Sequence, residues 1–281
     1  MPSDSQKPKI KIRSVWAHNL ESEFKLISNC VRRYPFASMD TEFPGVVYRP
    51  RKHHSLLSPS DRYSLLKYNV DSLNLIQLGL TLSDSDGNLP NLGSNRYSYI
   101  WEFNFSDFNI YRDSCAPDSI QLLRANGIDF ERNVAYGIDS RRFATLLMRS
   151  GLLFNSSAAA VAAPVSWITF HSAYDFGYLI KILTRRKLPH SLGDFMSAVR
   201  FYFGEKGFLD VKCVMRHCDG LFGGLERVAG TLRVERVAGK SHQAGSDSLL
   251  TWQSFLRMKE VFCLKDGGKE HAGVLFGLEV C

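Results

Sequence analysis

Two acidic residues one position apart, Asp40 and Glu42, stand at the end of a short apolar run that precedes a Pro-Gly turn. If this run is a strand, the two-residue side-chain period directs both carboxylates to the same face. Neighbouring carboxylates repel each other, so the pair is stable only when it is exposed to water or bridged by a cation. Acidic pairs of this spacing are common on protein surfaces, so the pair alone leaves both interpretations open.

Asp175 and Asp247 are two further acids at the ends of apolar segments. Asp175 follows the run VSWITF, where a strand gives way to a helix, and Asp247 lies in the first turn of the last long helix. Either residue could serve only to stabilise the positive end of its helix dipole. Together with the first pair they make four carboxylates, the ligands that Mg²⁺ and Mn²⁺ prefer. Two such ions about 4 Å apart can activate a water and stabilise the leaving oxygen of a phosphodiester.

His242 lies five residues before Asp247, on the segment that enters the same helix. An imidazole at this position can take a proton from the attacking water or orient it. The alternative is a loop histidine with no role.

Three segments together resemble the exonuclease motifs of the DEDD superfamily: MDTEFPG, WITFHSAYDFGYLIKIL and GKSHQAGSDSLLTW. More narrowly, the chain resembles the Caf-type (CCR-associated factor) mRNA deadenylases, which are catalytic subunits of the Ccr–Not complex. Supporting segments are SVWAHNLESEF, LNLIQLGLTLSD, WEFNF and SIQLLRANGIDF. The resemblance covers about residues 11–265, which is nearly the whole chain.

This resemblance assigns a role to each residue of the candidate site. It implies that Asp40 bridges two divalent metal ions, Mg²⁺ or Mn²⁺, and that Glu42 and Asp247 complete the first ion's site. It implies that Asp175 holds the second ion through waters and that His242 is the general base. Because all five positions carry the expected residue types, we expect an active enzyme.

The family implies a poly(A)-specific 3′→5′ exoribonuclease that releases 5′-AMP from the 3′ ends of mRNA. It also implies two protein partners, the scaffold subunit of the Ccr–Not complex and a second, unrelated deadenylase. Two alternatives stay open: a catalytically silent RNA-binding subunit that docks a deadenylase complex, and a DEDD exonuclease for another nucleic acid.

The bulk composition is compatible with an RNA partner but favours it only weakly. Lys and Arg number 35 against 28 Asp and Glu, a net charge of +7, and a basic surplus can serve solubility alone. Three residues are candidates for RNA contact. Phe43 follows the acidic pair and could stack on a nucleobase or enter the core. Arg185 and Arg186 end the helix that carries Asp175, and could bind phosphate or only satisfy the helix dipole.

The N-terminus lacks the apolar core of a signal peptide, and no apolar run is long enough to span a membrane. We therefore expect no membrane partner, a cytoplasmic location with the nucleus as a second one, and reduced thiols for the six scattered cysteines.

The order of elements predicts an α/β fold, and the resemblance implies a ribonuclease H-like mixed five-stranded sheet flanked by helices. We expect a single domain over 11–265 with loosely ordered ends at 1–10 and 266–281, and a surface insert at 155–164. Residues 1–13 and 49–64 are predicted to be irregular. The pentapeptide ERVAG occurs at 226–230 and again at 235–239. We interpret this repeat as coincidental and predict a helix at the first copy followed by a loop at the second. The predicted strands lie at 36–40, 73–82, 97–105, 165–170 and 208–212, and the predicted helices at 22–33, 119–126, 140–150, 171–184, 191–203 and 246–262.

Overall fold

The computed structural model describes residues 8–50, 53, 56–154 and 164–279. Over these residues the chain forms a six-stranded mixed sheet in the order β1-β4-β3-β2-β5-β6. Strand β3 runs antiparallel to both of its neighbours, and the remaining neighbouring pairs are parallel. The strands are β1 (Lys9–Val15), β2 (Phe36–Glu42), β3 (Gln77–Ser83), β4 (Tyr97–Asn104), β5 (Ser166–Thr169) and β6 (Phe208–Asp210).

Helices cover both faces of this sheet, as predicted. Helix α10 packs on β2 and β3 on one face, and α9 lies against α10. The larger core lies on the other face and includes residues of α1, α2, α5, α6 and α7. The α-helices are α1 (Leu20–Cys30), α2 (Pro59–Ser72), α3 (Pro117–Ala125), α4 (Phe130–Tyr136), α5 (Ser140–Arg149), α6 (Ala173–Thr184), α7 (Leu192–Phe203), α8 (Val211–Val214), α9 (Leu225–Thr231) and α10 (Ala244–Val261), and 3₁₀ turns span Met215–His217 and Lys265–His271.

The prediction of five strands was wrong by one, because the edge strand β1 lies in the segment that was expected to be loose. Its sequence, KIKIRSV, alternates basic and apolar residues with the period of a strand. The basic side chains lie over aromatic rings of β4: Lys11 Nζ is 3.6 Å from the Tyr97 ring centroid, and the Arg13 guanidinium is 5.3 Å from that of Tyr99. The tyrosine rings of β4 thus pack against basic side chains that, in the sequence alone, indicate a loose charged end.

Helix α2 occupies part of the segment that was predicted to be a long loop. Ser58 caps its first turn by accepting from the backbone N–H of Asp61, and the Asp61 side chain accepts from Ser58 in return. Pro59 occupies the first helical position. This capping box with an initial proline is a recognised helix start that could have been found in the sequence.

The glycine-rich C-terminal segment is packed, although it was expected to be loosely ordered. Leu275 and Leu278 are buried in the larger core, and the N–H of Gly273 donates to the carbonyl of Phe208 on β6. The predicted single domain over 11–265 stays a prediction, and most of the predicted insert at 155–164 lies outside the described residues. Among the described residues, no helix combines the length and apolar character that crossing a bilayer requires.

One glycine allows α10 to approach the sheet closely. A Cβ atom placed on Gly79 of β3 would lie 1.8 Å from the carbonyl oxygen of Ala244, the first residue of α10. Only glycine permits this contact, which sets the N-terminal turn of α10 directly against the strand next to β2. The first turn of α10 carries Asp247.

Candidate active site

Strand β2 carries the first two acids at its C-terminal end. Asp40 and Glu42 alternate with Thr41 and so leave the opposite face of the strand. Thr41 is buried, and its hydroxyl donates a 2.5 Å hydrogen bond to Oδ1 of Asp175. The residue that separates the first two acids therefore binds the third.

Asp175 lies in the first turn of α6, which follows β5. Because β5 is the parallel neighbour of β2, both strands end at the same edge of the sheet, where ligand sites of open α/β sheets gather. The side chain is 6% exposed. The carboxylate of Asp175 thus meets the acids of β2 in a partly dehydrated position.

Asp210, at the end of β6, fixes the loop that leads into α6. Its fully buried carboxylate accepts hydrogen bonds from the backbone N–H groups of His171 and Ser172, at 2.7 and 3.0 Å. It also accepts from those of Lys212, at 3.0 Å, and Phe276, at 3.2 Å. One side chain therefore joins the entry to α6, the start of α8 and the C-terminal segment. This role was not predicted from the sequence.

Asp247 is positioned by two side chains from the sheet. The first residues of α10 have no side-chain cap of their own. Instead Gln77 Oε1 accepts from the N–H of Ala244 at 2.9 Å, and Glu102 Oε2 accepts from that of Gly245 at 3.3 Å. These bonds satisfy helix N–H groups that would otherwise be unpaired and hold Asp247 over the sheet.

His242 lies next to Asp247, as its place in the sequence predicted. Its backbone φ is +58°, and its N–H donates to Asp247 Oδ2 at 3.0 Å. Glu42, His242 and Asp247 each offer a ligand atom, and these three atoms all lie within 4.8 Å of one another. The structure thus brings His242 together with two of the predicted carboxylates.

All four carboxyl groups of the site have a raised pKa. Burial is the largest cause at each of them, and it raises the pKa of Asp175 to about 7. The charges of the neighbouring acids raise the pKa of Asp40 and Glu42 further, well above their ordinary values. Together these shifts mean that the site carries its negative charges at a free-energy penalty.

A divalent cation would remove this penalty, and the donor set fits one. Carboxylate oxygens are hard ligands suited to Mg²⁺ or Mn²⁺. Asp40, Glu42 and Asp247 would hold one ion, and Asp40 and Asp175 a second.

Arg236 is a second residue whose role was not predicted from the sequence. Its guanidinium lies 2.5 Å from Oδ1 of Asp247 and also pairs with Glu226. Glu226 belongs to the first copy of the ERVAG pentapeptide and Arg236 to the second. As predicted, the first copy lies in a helix, α9, and the second in a loop. The two copies meet through this ion pair, which partly neutralises Asp247.

A groove of about 840 Å³ opens beside Asp40 and Asp175. Its walls are aromatic and basic, a combination typical of surfaces that bind single-stranded nucleic acid. The residues that characterise it include Phe43, Tyr48, Arg62, Tyr174, Lys212 and Phe276.

The three predicted RNA contacts lie in two places. Phe43 lines the groove, where its half-buried ring stacks on that of Tyr174 at 5.1 Å. Arg185 and Arg186 line a separate cleft of about 300 Å³ at the other end of α6 from Asp175. The guanidinium of Arg185 donates to the Thr145 hydroxyl at 2.9 Å. An RNA role for these three residues stays a prediction.

A mixed α/β sheet with acids converging at the carboxyl ends of its central strands defines a nuclease of the ribonuclease H-like class. A family model described as CAF1 family ribonuclease matches residues 15–145. The chain is 48% identical over 271 residues to the probable CCR4-associated factor 1 homolog 7 of Arabidopsis thaliana, covering 96% of this chain and 94% of that one. It is 43% identical over 250 residues to the poly(A) ribonuclease pop2 of Schizosaccharomyces pombe, covering 88% and 69%.

Solved structures agree with these sequence relationships. The Mg²⁺- and Mn²⁺-bound form of S. pombe Pop2p matches with a TM-score of 0.83 and 41% identity, covering 95% of this chain and 99% of that one. A second matching structure is that of the yeast NOT1 MIF4G domain co-crystallised with CAF1. It matches with a TM-score of 0.74 and 33% identity, covering 95% of this chain and 96% of that one. The chain belongs to the CAF1 ribonuclease family, as the resemblance predicted.

Proposed function

We propose that this protein is a poly(A)-specific 3′→5′ exoribonuclease that shortens mRNA tails and releases 5′-AMP. The observation that carries the proposal is the convergence of Asp40, Glu42, Asp175 and Asp247 at one edge of the sheet, with His242 beside them. The relative named poly(A) ribonuclease pop2 supports adenosine tails as the substrate.

Each residue has a distinct task in this reaction. Asp40, Glu42 and Asp247 would hold one divalent ion, Mg²⁺ or Mn²⁺, and Asp175 would hold the second with Asp40. When bound, the ions lower the pKa of the attacking water and stabilise the leaving oxygen. His242 accepts the proton of that water. Thr41 orients Asp175 by its hydrogen bond.

The same relationships support a set of partners. The yeast CAF1 structure contains the MIF4G domain of NOT1, which supports a scaffold subunit of the Ccr–Not type as a partner of this chain. The name CCR4-associated factor supports a second deadenylase subunit in the same assembly. We place the protein in the cytoplasm, with the nucleus as a second location.

The test is an assay on a 5′-labelled RNA that ends in a run of adenosines, with Mg²⁺, with Mn²⁺ or with EDTA. We expect stepwise shortening that stops at the end of the adenosines, requires metal and is absent from Asp40→Ala. The exposed Glu260, at the far end of α10 from Asp247, provides the control Glu260→Gln, which should retain full activity.

Two outcomes would favour the alternatives. Binding of the RNA without shortening in either metal would indicate a catalytically silent docking subunit. Equal degradation of uridine tails or single-stranded DNA would indicate a DEDD exonuclease for another nucleic acid.

A further inference from the structure

Lys212 is a basic side chain on the wall of the groove that opens beside Asp40 and Asp175. It follows Asp210 of β6 by two residues and lies at the start of α8. Two aromatic rings flank its half-buried side chain: Nζ is 5.6 Å from the ring centroid of Phe170 and 5.1 Å from that of Phe276. The ammonium group is therefore held in place by apolar surroundings beside the candidate active site.

The ammonium of Lys212 has no hydrogen-bond acceptor or ion-pair partner among the residues that the structure describes. Two other cations of the groove differ from it, because Arg49 donates to the carbonyl of Val46 at 3.5 Å and Arg62 to that of Gly277 at 3.3 Å. The acid closest to Lys212 in sequence, Asp210, already accepts four backbone N–H groups.

A half-buried ammonium without an acceptor calls for an anionic ligand, since burial without a partner is unfavourable for a charged group. Burial indeed lowers the pKa of Lys212, and the charge of Asp210 opposes this shift. Lysine binds phosphate as a compact positive charge with three N–H donors. Lys212 lines the same groove as Asp40 and Asp175, so an RNA chain in this groove can contact the lysine and the acidic site together.

We propose that Lys212 binds a backbone phosphate of the RNA in this groove. The inference rests on the proposed function, because it takes the RNA chain as the ligand. The rings of Phe170 and Phe276 lie near the ammonium itself and so fix its position on the wall of the groove. The contact is with the sugar-phosphate backbone of the RNA and not with a base, so it contributes the same affinity for every RNA sequence.

The test measures how RNA affinity depends on salt. Binding of fluorescently labelled oligoadenosine is followed by anisotropy between about 50 and 200 mM salt, in an Asp40→Asn background that prevents cleavage. Lys212→Met removes the charge and keeps the length of the stem. Lys11→Met is the matched control, because Lys11 also lies over an aromatic ring but on the edge strand β1.

We expect Lys212→Met to reduce the slope of log affinity against log salt by about 0.7, the value for one phosphate contact on a single strand. Lys212→Arg should restore the slope, and Lys11→Met should not change it. Oligouridine affinity should fall by the same factor as oligoadenosine affinity. In a background with Asp40 intact, Lys212→Met should raise KM more than it lowers kcat.

An unchanged slope in Lys212→Met would overturn the phosphate contact, whatever happens to stability. A lower melting temperature with the parental slope would assign Lys212 a structural role instead. If the Asp40→Asn parent does not bind oligoadenosine, the proposed function fails. If the parent binds it and Lys212→Met keeps the parental slope, only this inference fails.

Discussion

The hydroxyl of Thr41 donates a 2.5 Å hydrogen bond to the carboxylate of Asp175, a residue 134 positions further along the chain. Thr41 lies between Asp40 and Glu42 on β2. This strand therefore carries two of the four acids of the site and, through Thr41, orients a third, Asp175. The bond also lowers the pKa of Asp175, which burial raises to about 7. Thr41 thus orients the carboxylate of Asp175 and also favours its ionised form.

Replacing Thr41 by valine should reduce activity and shift its pH dependence. Without the hydrogen bond the pKa of Asp175 rises further, so that a smaller fraction of the carboxylate is ionised near neutral pH. A hydrogen bond to a charged group contributes about 1.5–3 kcal/mol, so we expect kcat/KM to fall about 10- to 100-fold. The acidic limb of the pH–rate profile should move to higher pH. Thr41→Ser keeps the hydroxyl and should behave like the parent, and superimposable profiles for all three proteins would refute the assignment.

The acids that the sequence predicted as metal ligands are those that stand at the ends of strong periodic elements. The pattern of β2 placed Asp40 and Glu42 on one face, and the helical pattern of α10 placed Asp247 in its first turn. Such local patterns are reliable because the side-chain period of a strand or helix determines which face of that element each residue occupies. The close approach of the acids to one another, in contrast, depends on contacts such as that of Gly79 with Ala244, which no local pattern contains.

The supporting residues were missed because their contacts form only in the folded chain. Asp210 appears as the end of a short strand, yet one of its four hydrogen-bond donors, Phe276, lies 66 positions away. Arg236 lies in a loop, and its importance comes from the ion pair with Asp247. The edge strand β1 was missed because Lys11 and Arg13 lie over tyrosine rings that only the folded sheet supplies.

The metal-free protein should lose stability as the pH rises from about 4 to about 7. The folded-state pKa of Asp175 is about 7, above its ordinary value of 3.8, and those of Asp40 and Glu42 are also raised. A group of this kind contributes its full stabilisation below the unfolded-state pKa and loses it as the pH rises through the folded-state pKa. For Asp175 this window runs from about pH 4 to about pH 7. Melting curves in EDTA across this range measure the effect.

Adding Mg²⁺ or Mn²⁺ should reverse this loss, and by more at high pH, because the ions bind the ionised carboxylates. The increase in melting temperature on adding metal should therefore grow between about pH 4 and about pH 7. Asp40→Asn should reduce the increase, and Glu260→Gln should leave it unchanged. An increase that is independent of pH, or that survives in Asp40→Asn, would contradict the assignment of the metal ligands.

His242→Asn should slow the reaction without abolishing it. Asparagine tolerates the left-handed backbone that His242 adopts, with φ +58°, and it keeps the backbone N–H that donates to Asp247. The change therefore removes the imidazole with little effect on the loop. General-base catalysis contributes about 10²–10⁴-fold, so we expect kcat to fall within this range and the profile of kcat against pH to change shape. An unchanged profile would exclude His242 as the base.

Asp210→Ala should destabilise the protein and also lower its activity at temperatures where it remains folded. The substitution leaves four backbone N–H groups without their acceptor. The N–H of Ser172 is buried, and an unpaired buried group costs about 1–3 kcal/mol. It also frees the loop before Asp175 and the wall that carries Lys212. Asp129→Ala, which removes a helix cap with one N–H partner, should cost only about 1 kcal/mol and leave activity intact. Chemical denaturation and initial rates measure both effects, and equal losses of stability in the two variants would show that Asp210 does not join these segments.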